Sequence, residues 1–304
     1  MSALALGLIL VAAFTHATWN LAAKRSGGGL PFVWLAGLMS LACYAPVVTG
    51  YWLWRHPVLP AGAGLVILGS GLLKTGYALL LQRGYRHGDF SLVYPLARGT
   101  GPLLSTLAAI VIFGERPTPL ALAGGLVIVA SVFALTGGFD QVGRTLRVSR
   151  SAHPEPASPA GTPRPTAGIF YGITCGCCIA GYTVWDQRAV SHLALPPVLY
   201  DCGTQLVMCA VIAPFAWRRR AEVARDWREH RGKALTVAVL GPLSYVLILT
   251  AMRFTPVSYI APAREISILI GTLLGAKLLR ETAAPRRVFA AVGMVAGVIA
   301  LALG

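Results

Sequence analysis

The chain contains the same polar pattern twice, 166 residues apart, within a series of long apolar segments. The first copy runs from Ser91 to Pro119 and the second from Ser258 to Pro285. The offset pairs Arg98 with Arg264, Glu115 with Glu281, Pro119 with Pro285, Trp19-Asn20 with Trp185-Asp186, and His16 with Tyr182. If each unit has an odd number of membrane spans, the second unit is inverted relative to the first. Inverted repeats are typical of membrane carriers whose site lies at the repeat interface near the middle of the bilayer.

Composition places these segments in a membrane. Hydrophobic residues make up 56% of the chain and charged residues only 12%, against roughly 25% charged in soluble domains. About 20 mainly apolar residues are needed for a helix to cross the hydrocarbon core. Ten such windows are found, at about 3–23, 31–54, 59–82, 90–113, 119–137, 167–187, 197–217, 234–253, 257–279 and 286–304. We therefore predict an all-α integral membrane protein with ten transmembrane helices, arranged as two inverted five-helix repeats.

The basic residues predict an orientation. Of 26 Lys and Arg residues, 19 fall on the connections that follow the odd-numbered spans, and the opposite side carries only Arg55, Arg116, Arg188 and Arg253. The positive-inside rule puts the basic side in the cytoplasm and both termini outside, in a bacterial-type plasma (inner) membrane. The arginine-rich stretch from Arg218 to Lys233 is interpreted as a solvated loop near anionic lipid headgroups. It lacks the aromatic stacking pattern of a nucleic-acid site.

Two units and a tether account for the whole chain. We predict a first repeat over 1–142, a flexible cytoplasmic linker over 143–166, which contains five prolines, and a second repeat over 167–304. The first apolar segment is expected to stay as a span, since no signal-peptide pattern accompanies it. No room remains for a soluble catalytic domain, and the H-E-x-x-H and G-x-S-x-G motifs are absent. We expect no enzyme activity, cofactor, metal site or disulfide, although an intramembrane enzyme stays the least favoured alternative.

Two arginines carry the strongest functional signal. An ionisable side chain within a span is costly and by default faces the interior of the bundle. Arg98 follows Pro95, and Arg264 follows Pro262, so both helices are expected to kink or unwind there. A guanidinium beside freed carbonyls suits a carboxylate or phosphate, and Tyr94, one turn before Arg98, is positioned to contact the substrate or to orient the guanidinium. The alternative is structural: each arginine caps the broken helix.

Polar stripes on the first span of each repeat form a second candidate. His16, Trp19 and Asn20 have helical spacing, and the pattern recurs as Tyr182, Trp185 and Asp186. Such a stripe can line a cavity for a small organic molecule. It can also be an aromatic anchor at the membrane surface, which stays an equal reading for Trp185 and Asp186. His16, whose unperturbed pKa lies near neutrality, is a proton-coupling candidate.

The remaining intramembrane groups complete the candidate site. Lys74 and Tyr77 lie in span 3, and Tyr245 lies in span 8. Asp201 and Glu265 are the expected counter-ions of the buried cations, and Asp186 and Glu265 join His16 as proton-coupling candidates. Glu115 and Glu281, at span ends, are interpreted as groups that fix loops and helix ends.

These motifs resemble those of the EamA-type family of the drug/metabolite transporter superfamily. The similar phrases are His16-Ala-Thr-Trp-Asn-Leu-Ala-Ala-Lys24 and Tyr94-Pro-Leu-Ala-Arg-Gly99. The resemblance implies a ten-helix carrier with a central cavity lined by spans 1, 3, 4, 6, 8 and 9, driven by proton or substrate gradients. Many members are described with cytoplasmic termini, whereas the charges here place both termini outside.

Three function classes follow. The first is a secondary-active exporter of a small polar metabolite, amino-acid-like or otherwise bearing a carboxylate or phosphate, that works by alternating access. The second is a proton-coupled multidrug exporter of lipophilic cations, which would need a buried acidic residue. The third is the intramembrane enzyme. The expected partners are a small-molecule substrate and membrane lipid, and the expected state is a monomer or homodimer.

Overall fold

The protein is built from helices joined by short connections. The structure, a computed structural model, describes residues 1–27, 29–87, 90–137, 165–279 and 285–304. The helices are α1 (Ala3–Arg25), α2 (Leu30–Arg55), α3 (Ala63–His87), α4 (Phe90–Phe113), α5 (Pro119–Thr136), α6 (Pro165–Gln187), α7 (Pro197–Arg218), α8 (Arg220–Met252), α9 (Val257–Ala263), α10 (Ile266–Leu279) and α11 (Pro285–Leu303). A π-helical turn, Arg188–His192, continues α6. The described residues form no strand, which confirms the all-helical prediction.

Local sequence sets several helix ends. Ser2 caps α1, where its hydroxyl accepts a hydrogen bond from the Ala5 N–H. Thr118 does the same for α5 through Ala121, with Pro119 at the first helical position. Gly137 ends α5 in the left-handed conformation, at φ 78°.

The outer surface of the bundle is apolar. Large side chains such as Leu65, Val111 and Phe289 are 73%, 74% and 79% exposed on helices, which suits contact with lipid tails and not with water. Within the described residues, nine candidate spans meet the length and hydropathy needed to cross a bilayer, and α9 and α10 contribute to one of them. The last helix is apolar but shorter over its described side chains, from Val288 to Leu303. The protein is therefore a multi-pass membrane protein, and the count of ten spans stays a prediction.

The contacts between helices follow the internal repeat of the chain. α4 packs on α6 and α1 on α10, α3 packs on α6 and α1 on α8, and α3 packs on α7 and α2 on α8. Each contact thus has an equivalent, which is obtained when each helix is replaced by the corresponding helix of the other half. Helices α2 and α7, which correspond to each other, pack together, and so do α5 and α11.

Helices α5 and α11 pack antiparallel through glycine. A Cβ atom added at Gly124 would lie 2.7 Å from the carbonyl oxygen of Gly297, while Gly293 faces Ser131 further along. Only a residue without a side chain permits this approach. The Gly293-x-x-x-Gly297 motif therefore serves a contact within the chain.

The two arginine-bearing spans differ: the second is unwound beside its arginine, as predicted, and the first is not. The second is interrupted at Arg264 and Glu265, where short i to i−3 bonds join the Glu265, Ser267 and Ile268 N–H groups to the carbonyls three residues earlier. The first, α4, runs through Pro95 without a break.

The neighbouring helix offers a physical reason. Glycines at 172 and 176 of α6 let α4 approach closely at Leu96 and Thr100. The corresponding positions of α1 are Leu6 and Leu10. Close packing thus supports α4 along its proline-containing stretch, and the second repeat lacks that support.

Two other predictions concern the polar segments. The stretch from Arg218 to Lys233 is helical and not a loop, since α7 extends to Arg218 and α8 begins at Arg220. Its alanine, arginine and glutamate residues are good helix formers. The predicted linker lies outside the described residues except for its last two positions, and Glu281 lies outside them as well.

Replacing Gly124 by alanine should destabilise the protein by about 1–3 kcal/mol, because the new methyl group meets a backbone carbonyl that cannot move away cheaply. The measurement is the melting temperature in detergent, which should fall by several degrees. Gly7→Ala is the matched control, since a Cβ atom there has nothing within 4 Å. Equal melting temperatures for the two variants would contradict the close helix contact.

Candidate functional site

An ion pair joins the two halves in the interior. The Arg98 Nε lies 3.0 Å from the Glu265 Oε2, with side-chain exposures of 12% and 1%. Arg98 belongs to α4, and Glu265 sits at the break between α9 and α10. The Arg98 Nη2 also donates to the Ser267 hydroxyl at 3.5 Å. We call Arg98, Arg264, Glu265 and Ser267 the arginine site.

The pair is held by charge and not by hydrogen-bond alignment. Although the Arg98 Nε and the Glu265 Oε2 lie at contact distance, neither atom has an aligned hydrogen-bond partner among the described residues. Two opposite charges at this separation attract strongly in a poorly hydrated interior whatever the angle. The contact between Arg98 and Glu265 is therefore ionic, while the Arg98 Nη2 and the Glu265 Oε1 contact Ser267 and Arg264.

Arg264 contributes an unneutralised positive charge. Its Nε lies 3.8 Å from the Oε1 of the adjacent Glu265, and its side chain is 11% exposed. Among the described residues it makes no other ion pair. Since the single carboxylate of Glu265 serves both Arg98 and Arg264, the arginine site carries one excess positive charge.

Aromatic residues surround the two guanidinium groups. His16 interacts electrostatically with Arg98 and Arg264, and its ring meets that of Trp19 edge to face at 4.8 Å. Tyr77, Tyr94 and Tyr182 interact in the same way with Arg98. Tyr77 and Tyr182 meet edge to face at 6.0 Å. The predicted residues of α1, α3, α4 and α6 thus converge on the arginines.

A second ionic cluster lies beside the first. The Lys74 Nζ is 3.2 Å from the Asp186 Oδ2, and Asp186 is completely buried. Ser70, Tyr200 and Tyr245 all donate their hydroxyl groups to the Asp186 carboxylate. Lys74 in turn donates to Thr204 at 3.1 Å. We call Lys74, Asp186, Asp201 and these hydroxyl partners the lysine site.

The lysine site carries an excess negative charge. Asp201 is 8% exposed and interacts electrostatically with both Lys74 and Asp186. It forms no ion pair within the described part of the chain, so one ammonium group faces two carboxylates. Lys74 also lies 4.3 Å above the ring of Tyr245, a cation–π contact that holds the ammonium in place.

Tyr245 connects the two sites. Its hydroxyl donates a hydrogen bond to Asp186, and the residue also lies near Arg264. Tyr182 also interacts with both Arg264 and Tyr245. The polar interior is therefore one tract, positive at the arginine site and negative at the lysine site.

The counter-ions differ from the expected ones in one respect. Glu265 pairs with an arginine, as expected, but Lys74 pairs with Asp186 and not with Asp201 or Glu265. The reason is the antiparallel packing of α3 on α6, which brings Ser70 and Lys74 against Asp186.

Two predicted residues lie apart from this tract. Trp185 is 43% exposed, covers Gly69 and donates its indole N–H to the Val66 carbonyl at 2.9 Å. It therefore packs on α3 at the outer surface while its neighbour Asp186 points inward. Asn20 is exposed, whereas Trp19, one residue earlier, donates to Ser244 on α8 at 3.3 Å.

The sequence did not single out Ser70, Tyr200, Thr204 and Ser267. Neutral hydroxyl residues are common in membrane helices, where they often bond to their own backbone, as Thr75 does to Gly71. Only a contact with a charged side chain distinguishes these four: Ser70 and Tyr200 bond to Asp186, Thr204 bonds to Lys74, and Ser267 bonds to Arg98.

Two grooves of the described structure lie away from the arginine site. One, of about 360 Å³, is lined by apolar residues of α2, α3 and α7, and another of similar volume lies between α4 and α6. The first reaches Tyr200, but neither contains an arginine of the site. The arginine site itself is largely buried between helices, with side-chain exposures of 12% for Arg98 and 11% for Arg264.

Comparison with known proteins agrees with this architecture. Residues 3–137 and 166–303 each match the family model described as the EamA-like transporter family. A solved structure described only as "Crystal structure of protein" superposes with a TM-score of 0.71 at 18% identity, over 100% of this chain and 98% of the other. That similarity shows the fold alone. No curated protein matches the chain.

Removing one member of the Lys74–Asp186 pair should cost about 3–5 kcal/mol of stability, because it leaves an uncompensated buried charge. Lys74→Met should therefore lower the melting temperature more than the double replacement Lys74→Met with Asp186→Asn. The check is a double-mutant cycle by thermal unfolding in detergent. Additive effects of the two single replacements would show that the pair is not energetically coupled.

Proposed function

Because the chain belongs to the EamA-like transporter family, we propose that it is a secondary-active carrier that exports a small dipolar metabolite, one with a carboxylate and an ammonium group, by alternating access. Family membership makes it a membrane transporter and not an enzyme. The substrate class, the direction and the mechanism are the proposal.

The observation that carries the proposal is the opposite excess charge at the two ends of the polar tract. Among the described residues, Arg264 shares the Glu265 carboxylate with Arg98, and Asp201 lies near a lysine whose ion pair is made with Asp186. A substrate carboxylate at Arg264 and a substrate ammonium at Asp201 would neutralise both. A phosphate dianion would exceed the single positive charge available, so a carboxylate fits better.

The aromatic side chains suit the body of such a substrate. His16, Tyr77, Tyr94 and Tyr182 lie near the guanidinium groups. They offer aromatic rings together with polar atoms. Rings of this kind bind apolar groups while their polar atoms remain hydrogen-bonded.

The paired helix contacts support alternating access. Helices α5 and α11 run antiparallel, and the other contacts between halves come in exchanged pairs. Both features agree with two inverted repeats, in which rocking of one half against the other exposes a fixed central site to each side in turn. The distribution of basic residues supports both termini outside a bacterial-type inner membrane.

Glu265 is the best placed of the three proton-coupling candidates. A substrate carboxylate that binds Arg98 or Arg264 competes with Glu265 for the same guanidinium group, and a displaced, buried Glu265 would take up a proton. Asp186 is less suited, because three hydroxyl groups and Lys74 already satisfy it. His16 lies beside the arginines without a carboxylate of its own among the described residues.

A matched set of ligands tests the substrate class. The purified protein is heated with an amino acid, with the amine that lacks its carboxylate and with the acid that lacks its ammonium. At 100 times its Kd a ligand stabilises the folded state by about 2.7 kcal/mol. We expect the dipolar ligand to raise the melting temperature most, and Arg264→Gln and Asp201→Asn each to abolish that advantage.

Arg188→Gln is the control for that experiment, since Arg188 is exposed on the π-helical turn. Equal stabilisation by the acid alone and by the amino acid would remove the role of Asp201. Stabilisation by lipophilic cations alone would favour the multidrug alternative and leave both arginines with structural roles.

Transport itself tests the arginines. Arg98→Ala and Arg264→Ala should each reduce counterflow of the stabilising ligand in proteoliposomes to background, because a ligand charge loses its partner in a poorly hydrated site. Both variants have to remain monodisperse in detergent for the comparison to hold. Unchanged transport by both would exclude the assigned role.

A further inference from the structure

A carboxylate ties the two halves together at the end of the bundle that holds the termini. The Val257 and Ser258 N–H groups donate to the Glu115 Oε1 and Oε2 at 2.8 and 2.9 Å. Glu115 follows α4 of the first half, and the two donors begin α9 of the second. Hydrogen bonds to an ionised carboxylate are the strong ones, and this carboxylate takes one with each oxygen.

The same end of the bundle holds both chain termini. The Tyr259 hydroxyl accepts from the Thr118 N–H and donates to the Gly304 carbonyl, each at 3.4 Å. The Met1 ammonium group donates to the Ala302 carbonyl at 3.0 Å. The connection between α4 and α5 thus lies against the start of α9 and the last residues of the chain.

Between Glu115 and the arginine site the contact is apolar. Ala109, Val257 and Ala261 are completely buried against one another, with Phe113 packed beside them. We call these four residues the α4–α9 seam. Arg98 and Glu265 close the seam at its inner end, and Glu115 closes it at the outer end, so α4 and α9 are fastened at two depths.

One polar group at the seam lacks a partner in this arrangement. Ser258 is 3% exposed, and its hydroxyl oxygen has no hydrogen-bond partner among the described residues. A buried hydroxyl without a partner is unfavourable, and hydration on opening would satisfy it. In the closed seam, the hydrogen bonds to Glu115 therefore offset the unfavourable burial of the Ser258 hydroxyl.

We propose that Glu115 is the gate residue that closes the arginine site towards the side of the termini. With its two hydrogen bonds formed, α9 is held against α4 and the seam excludes water. With them broken, α9 separates from α4 and opens the site. Helix α9 is only seven residues long and ends where the span is interrupted at Arg264 and Glu265. This inference rests on the proposed carrier function.

Accessibility of the seam tests the gate without any substrate. A cysteine is introduced as Ala261→Cys in a background where the six native cysteines are replaced by alanine. Its reaction rate with a bulky polar maleimide is measured on detergent-purified protein. Glu115→Ala removes both hydrogen bonds and should raise that rate about tenfold or more, since the loss of even one hydrogen bond to a charged group has an effect of this size. Glu115→Gln should raise the rate less.

Arg116→Ala is the matched control, because Arg116 is the exposed neighbour in the same connection and should leave the rate unchanged. Equal labelling of Glu115→Ala and the parent protein would overturn the gate. If Glu115→Ala fails to fold, Glu115→Gln is judged by the same criterion.

Thermal stabilisation by ligand, measured on the same samples, separates the two hypotheses. Faster labelling without ligand stabilisation supports the gate and overturns the assigned substrate class. Ligand stabilisation with unchanged labelling supports the assigned substrate class and overturns the gate.

Discussion

A charge inside this bundle is unfavourable unless a partner of opposite charge lies beside it, because the hydrocarbon core of a bilayer offers no water. The Arg98–Glu265 pair meets that requirement across the boundary between the two halves. Each half supplies one charge, so neither half is electrostatically complete alone. A substrate that offers its own carboxylate therefore acts on the contact that joins the halves.

The repeat and the class of fold could be predicted from the sequence. Long apolar windows specify helices by length alone, and the 166-residue offset marks the arginines because charges are rare in spans. Glu115 was correctly interpreted as a helix-end group from its position at the end of a span, but the helix end that it binds lies 142 residues further along the chain and was not predicted. Family membership agrees with the resemblance of the Tyr94–Gly99 motif.

The partners of the charges could not be predicted in the same way. Asp186 and Trp185 are adjacent in sequence, yet one is completely buried and the other is 43% exposed, because a helix turns successive side chains through about 100°. Which of the two faces inward depends on where α3 packs. The continuity of α4 through Pro95 was likewise decided by neighbours, since α6 has glycines where α1 has leucines. Such tertiary effects cannot be predicted from the sequence of the helix that they alter.

The contact between α5 and α11 limits how the halves can move. The backbones touch at Gly124 and Gly297 with no space for even one methyl group. Sliding along this contact would drive side chains into the facing backbone, so the two halves can pivot there more readily than they can slip. The fifth helix of each half is in this sense a pivot, and α5 lies close to the arginines: Phe133 covers Gly99, next to Arg98, and Gly125 faces Pro262, two residues before Arg264. A rotation about this contact would therefore act directly on the segments that carry both guanidinium groups.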